Sequence, residues 1–396
     1  MKQQRILSID IFRGLTIFLM VFVNELAGVS NIPDWMKHRP ADFDGMTFVD
    51  VVFPAFLFIV GMSIPFAVQN REVKGDSPFQ FWKHALIRTL GLLILGVFMV
   101  NSAEMNREAN LISYGLWTAS FYIAAVLIWN RYPTDWHTNR SRLIYILKGI
   151  GVVVLIILPF LFRKGETGAI TGMTTSWWGI LGLIGWAYII SLVLYFVSAK
   201  NKYFLGLIFA VLLVLLLGLK KSWSVFPFDI AWLQGQTGHI AHSLLTMAGI
   251  LTSLLLRTDG INNKMVKKSI SILLLGAFLA GLAFLIRPHF GGISKIYATP
   301  AWALYCAAIC CILFPIIFWL VDMKGIKSWA NFLTPAGKNP LLTYILPPFI
   351  YAVIGYGIYP EWLRNGATGF FWCIVFSLII LWLAKLLTRL GIKLHL

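Results

Sequence analysis

Charge is scarce in this sequence. Only 12% of its 396 residues are charged and 59% are hydrophobic; soluble domains carry about 25% charged residues. This excludes a water-soluble fold, which has nowhere to hide so much apolar surface. Cysteine is scarce too. Cys306, Cys310, Cys311 and Cys373 all fall inside apolar runs, which excludes a disulfide or zinc framework and leaves them as small buried residues. There is no low-complexity linker, no convincing internal repeat and no room for a soluble domain: the longest connections are 28–46, 220–238 and 322–339. The pair of broken spans that marks many inverted-repeat transporters is missing. The first apolar run contains Asp10 and Arg13 and is followed by no small-x-small cleavage site, so it reads as a span and not a signal peptide.

What is present is apolar sequence in lengths that match a bilayer. A span needs roughly 20 residues, and the runs at 7–27, 47–69, 84–103, 110–130, 143–162, 177–198, 203–219, 239–256, 269–286, 296–321, 340–357 and 367–390 satisfy that approximately. The expectation is an all-α polytopic membrane protein of ten to twelve helices, forming one domain over 1–396. Several runs end in Trp or Tyr, the residues of the headgroup belt. The net charge of +17 comes without any nucleic-acid motif. With the N-terminus inside, the inner segments hold 22 Lys and Arg and the outer loops 10, with Arg13 completing the 33. The acids split six inside and ten outside. That asymmetry predicts both termini in the cytoplasm and an inner face attractive to anionic lipid or ligand.

Ionisable groups inside spans are costly and mark function. The first run is the richest in them, with Asp10 and Arg13 near one end and Asn24 and Glu25 near the other. Asp10 and Arg13 are three apart and share a helix face, so they form either a structural ion pair or a guanidinium fork for a cytoplasmic phosphate. In the next loop Thr47 is a candidate N-cap and Asp50 its third-position acid. His38 is the loop's one group suited to move protons near neutrality; a solvated surface histidine is the alternative. His239 and His242 share a helix face, as substrate contacts or half of a metal site; no third ligand is apparent, and no metal is expected. His38, His239, His242 and His289 with Glu25, Asp50 and Glu104 predict a polar outward cavity, and Glu25, Glu104, His239, His242 and Lys295 are the expected substrate contacts. On the inner side Gly337-Lys338-Asn339-Pro340 precedes a span, where a helix start alone or an anion site on Lys338 and Asn339 fits. The Gly149/Gly151 and Gly179/Gly182/Gly185 runs suit close helix packing.

One stretch is distinctive. Asp10-x-x-Arg13-Gly14, Val21-Phe-Val-Asn24, Lys37-His38 and Gly45-Met-Thr47-Phe-Val-Asp50-Val-Val-Phe53-Pro54, continuing to Gly61-Met-Ser63, resembles the heparan-α-glucosaminide N-acetyltransferase family and its bacterial relatives. The resemblance covers roughly 6–65, with a weaker match at Gly337-Lys338-Asn339-Pro340 and near 239–256 and 296–320. It implies a transmembrane transferase that takes acetyl from cytoplasmic acetyl-CoA to an amino sugar or glycan on the periplasmic side of a bacterial inner membrane. It also implies that His38 matches the active-site histidine, Asn24 its supporting asparagine and Asp50 the acidic position of the second helix. His38 either is acylated or removes a proton from the acceptor. Two departures stand out. The stretch from His38 to Gly45 is about two residues longer than in the animal enzyme, and Leu181-Gly-Leu-Ile-Gly185-Trp186 replaces a Leu-Gln-Arg motif. The expected partners are the lipid bilayer and a sugar acceptor, with a homodimer compatible and nucleic acid excluded. A sugar or organic-ion transporter, or a non-catalytic partner of a glycan-processing system, are the alternative readings.

Overall fold

The computed structural model describes residues 6–133, 136, 140–166, 169–220, 231–257, 265–355 and 359–395. Twelve helices among the described residues account for the apolar runs. They are α1 (Leu7–Leu26), α2 (Val49–Val73), α3 (Pro78–Ala103), α4 (Tyr114–Trp129), α5 (Ser141–Leu161), α6 (Ile180–Val197), α7 (Lys202–Lys220), α8 (Thr237–Arg257), α9 (Met265–Ile286), α10 (Pro300–Phe318), α11 (Pro340–Ile354) and α12 (Gly366–Arg389). No strand occurs among the described residues, as the all-α expectation required: inside lipid a helix satisfies every backbone polar group within its own segment. Ten helices are long and apolar enough to cross a membrane, while α4 and α11 are shorter. Those two correspond to the runs at 110–130 and 340–357. Ser113 starts α4 late by accepting a hydrogen bond from the Leu116 N–H, and α11 ends at Gly355, whose φ is +79°.

The chain clusters into two compact units built from alternating stretches. The first comprises Met1–Thr16, Pro33–Thr89 and Ile184–Asn331; the second comprises Ile17–Ile32, Leu90–Leu183 and Phe332–Leu396.

In the first unit α2 and α8 pack backbone to backbone. A Cβ at Gly61 would fall on the Thr246 carbonyl and one at Gly249 on the Phe58 carbonyl. This is small-residue packing, in which close approach replaces the missing hydrophobic drive between helices in lipid. Gly249→Leu is therefore expected to destabilise the fold by more than about 3 kcal/mol, beyond ordinary overpacking. It should remove the monodisperse peak on gel filtration. Gly149→Leu, with open space around the added Cβ, should keep it. The cysteines behave as small buried groups: Cys311 touches Thr252 at 3.7 Å, and all four are buried and free.

In the second unit Trp117, Phe121, Phe98 and Phe162 form an aromatic cluster. The Trp117 indole N–H donates to the Leu158 carbonyl at 2.9 Å, which is left available because the Phe162 N–H, its i+4 donor, bonds to the Pro159 carbonyl at the helix end. Gly151 approaches the Ala124 carbonyl closely, whereas Gly149 meets nothing. Of that pair only Gly151 serves packing.

Candidate functional site: a His38–Asp50–Lys295 cluster

The first unit joins two loops. One runs from α1 to α2 and carries His38; the other runs from α9 to α10 and carries Lys295. They are stapled together at several points. The Arg287 Nε donates to both Asp44 carboxylate oxygens at 3.0 and 3.1 Å, and the Ile293 N–H donates to Asp44 Oδ1 at 2.7 Å. Gly45 N–H donates to the Ile293 carbonyl at 3.0 Å, Ser294 Oγ to the Ala41 carbonyl at 2.7 Å and the Tyr297 hydroxyl to Asp42 at 2.9 Å. The Arg287 hydrogen bonds hold the Asp44 carboxyl below its ordinary range. A depressed carboxylate stabilises the fold above its unfolded value, so this staple weakens as pH falls through the Asp44 range.

Within that frame His38 Nδ1 lies 2.6 Å from Asp50 Oδ1. Asp50 is 2% exposed and sits in the first turn of α2. Its other oxygen accepts the Thr47 N–H at 3.0 Å. The expected cap is thus only half formed. Asp50 reaches back as a capping-box acid does, but the Thr47 hydroxyl donates to the Lys37 carbonyl at 2.9 Å. It anchors the residue beside His38 and does not cap α2. Trp302 Nε1 donates to the Asp50 carbonyl at 3.3 Å, fixing the turn from α10. An ionised Asp50 accepts the Nδ1–H of His38. The Nε2 lone pair is then left for chemistry, the arrangement of an oriented general base.

Lys295 Nζ stands 3.3 Å from Nδ1 and 3.4 Å from Nε2 of His38. Near-equal distances place the amine off the lone-pair axis of either nitrogen, against the ring. Burial lowers the pKa of this amine, opposed by the charge of Asp50. The cluster thus holds a carboxylate, an imidazole and an amine in one line of contact.

The remaining expected residues fall as follows. His242 is 6% exposed. Its Nδ1 lies 2.6 Å from the Gly238 carbonyl, and its ring packs on Phe53 and Trp302, so it buttresses the floor under Asp50. His239 packs on Trp186. No group able to hold a metal ion exists among the described residues. Arg13 donates to Asp10 at 3.1 Å and to Ser63 Oγ at 2.6 Å, so the ion pair forms, with the guanidinium side chain still 23% exposed.

Asn24, Glu25, Glu104, Lys338 and Asn339 belong to the second unit. Glu104 is paired with Lys164 at 2.6 Å. Asn24 and Glu25 line a cavity of about 300 Å³ with Tyr344, Tyr351 and Arg364. Lys338 is exposed. Asn339 serves the fold instead. Its amide donates to Thr388 Oγ1 and the Ile392 carbonyl, both at 3.0 Å, and accepts the Leu394 N–H at 3.2 Å. That side chain ties down the C-terminal segment and has nothing to spare for a phosphate.

A coenzyme A donor suits part of this inventory. In the first unit Arg13 offers a guanidinium to phosphate; taken by itself, the second offers Lys338, and Asn339 does not fit. Sequence reasoning missed the Asp44–Arg287 staple and the support from Trp302. Partners 243 and 252 positions apart leave no signature in a single sequence.

Residues 5–176 match the family model described as heparan-alpha-glucosaminide N-acetyltransferase, catalytic. The human heparan-alpha-glucosaminide N-acetyltransferase is 35% identical over 97 residues, which is 24% of this chain and 14% of the human protein. The mouse protein of the same name is 34% identical over 97 residues, again 24% and 14%. His38 and Asp50 lie inside the family match; Lys295 and the 344–364 side of the cavity lie outside it. The match spans a small part of the relatives' length, and over residues 5–176 the chain carries the sequence pattern of the heparan-alpha-glucosaminide N-acetyltransferase catalytic family.

Proposed function

We propose that the protein is a transmembrane acyltransferase that moves an acetyl group from acetyl-CoA to the amine of a sugar or glycan. The observation that carries this reading is the His38–Asp50 hydrogen bond at 2.6 Å, set within the family match. His38 Nε2 takes the proton of the attacking amine, the C–N bond forms at the thioester carbonyl, and the C–S bond breaks to release the coenzyme A thiolate. Asp50 keeps the ring oriented and balances the imidazolium that forms. Lys295 supplies positive charge where the carbonyl oxygen becomes an oxyanion. Arg13, in the same unit as His38, binds a donor phosphate. The donor stays on the cytoplasmic face of a bacterial inner membrane and the acceptor on the other, as the Lys and Arg asymmetry suggests.

Purified protein in liposomes, given labelled acetyl-CoA and glucosamine, should form labelled N-acetylglucosamine. Uptake of intact sugar without acetylation would favour a transporter and reject this reading. Lys295→Met should lower kcat about 10²-fold, the scale for loss of one oxyanion donor, with KM little changed. Lys295→Arg should recover part of the loss. Unchanged kcat in the methionine variant would remove Lys295 from the chemistry.

A further inference from the structure

We propose that Lys295 is a modification site: with an acetyl thioester bound and no acceptor present, the His38 centre acetylates the Lys295 Nζ and switches itself off. This rests on the acyl-transfer reading for its donor. The observation that carries it is position. Lys295 Nζ stands 3.4 Å from His38 Nε2, beside the atom to which the proposed reaction brings the acceptor amine. Proton transfer to a base needs a heavy-atom separation of about 2.6–3.2 Å, so a small rotation of the side chain is enough. A general base does not distinguish the amine of a sugar from an amine of its own chain. Occupancy distinguishes them. A bound acceptor competes for Nε2, and an empty site leaves Lys295 there with the high effective concentration of an intramolecular reactant.

The backbone keeps the amine at that place. Lys295 lies in a turn where the Thr299 N–H donates to the Ser294 carbonyl at 3.0 Å and the Ala298 N–H to the Lys295 carbonyl at 3.1 Å. Ala298 has a φ of +47°, a left-handed conformation that few non-glycine residues adopt and that persists only where the surroundings enforce it. Lys220 Nζ holds the turn by donating to the Tyr297 carbonyl at 2.7 Å. The turn is thus fixed, while the four-carbon stem of Lys295 is flexible. Burial lowers the pKa of Lys295 against the opposing charge of Asp50, which raises the share of the amine that is neutral and nucleophilic at a given pH.

The step balances. The Lys295 ammonium passes one proton to His38 Nε2 and frees its lone pair. Nζ attacks the thioester carbonyl carbon, the C–N bond forms and the C–S bond breaks. The departing thiolate takes the second proton from the nitrogen. The products are an acetylated side chain, a free thiol and an imidazolium whose proton returns to water. The protein loses the cation that the proposed reaction sets against the oxyanion, so acetylation depresses sugar transfer.

The test incubates the full-length protein in detergent with labelled acetyl-CoA at neutral pH, without sugar, and follows each lysine by peptide mass spectrometry. The Lys295 peptide should gain one acetyl group at least about tenfold faster than the uncatalysed reaction, which the exposed Lys74 and Lys327 report. His38→Ala and His38→Gln, with folding checked by thermal unfolding, should slow labelling of Lys295 by about 10²-fold or more. Saturating glucosamine should suppress it. Preincubation with acetyl-CoA alone should depress later sugar acetylation in proportion to the label at Lys295. Lys295→Arg keeps the charge without a nucleophilic amine and should show no such decline. Labelling of Lys295 that is absent, no faster than that of Lys74, or unchanged by loss of His38 would overturn the proposal. Sugar acetylation on the same samples separates the two readings. Sugar transfer without label at Lys295 rejects the modification alone; His38-dependent label without sugar transfer keeps it and rejects the sugar acceptor.

Discussion

Replacing His38 by alanine is expected to lower acetyl transfer by 10²- to 10⁴-fold, the usual cost of losing a general base. That is about 3 to 5.5 kcal/mol of transition-state stabilisation at 1.36 kcal/mol per tenfold. The loss should appear in kcat. Folding and donor affinity should hardly change, because the His38 side chain is 40% exposed and contributes little packing. His38→Gln should not rescue the rate: an amide can replace the hydrogen bond to Asp50 but cannot cycle a proton near neutrality. His289, exposed on the 3-10 turn after α9, is the control, and His289→Ala should match the parent. A His38→Ala protein with half the parental rate, at matched folded protein, would refute the assignment. Gel filtration beside the assay shows that the variant is folded.

Asp50→Asn carries the second large effect. The carboxylate accepts the His38 Nδ1–H and the Thr47 N–H. Asparagine keeps one oxygen for Thr47 and turns its NH₂ toward His38. That donor forces the imidazole proton onto Nε2 and leaves no lone pair for the acceptor amine. In a serine-protease triad the same change costs about 10⁴ in kcat, and a loss of that order is expected here. Because the packing around the side chain is unchanged in volume, unfolding temperature should shift far less than it does for Asp50→Leu, which leaves the Thr47 N–H buried without an acceptor. An asparagine variant that retained more than a tenth of the parental kcat would show that Asp50 shapes the turn and not the chemistry.

Both expectations rest on a contact that was only partly legible in the chain. His38 and Asp50 stood out as a proton carrier and an acid near a helix start, and the resemblance to an acetyltransferase family tied them together. The 2.6 Å bond between them was not deducible from spacing, because the intervening loop is too long for local geometry to dictate its path. Lys295 was read as an outer-face substrate contact, with nothing to tie it to His38. Its place against the His38 ring follows from the Asp44–Arg287 and Ser294–Ala41 staples, which join loops 243 and 253 positions apart. Asn339 shows the opposite outcome. Its position before a helix suggested an anion site, but the C-terminal segment folds back and occupies its amide.

The sequence by itself determined the class of solvent, the helices and most of their ends. An apolar run of bilayer length has a single low-cost conformation in lipid, the helix, whatever its neighbours do. Membrane physics therefore writes that much locally, residue by residue. Tertiary structure decided the rest. It decided which helices pair, because helix association in lipid depends on where backbones can approach, as at Gly61 and Gly249, and not on hydrophobicity, which every span shares. It also decided which polar groups are spent on the fold and which face a ligand. A buried polar atom must find its partner wherever the packing brings one, and that partner is set by the fold, not by chain distance.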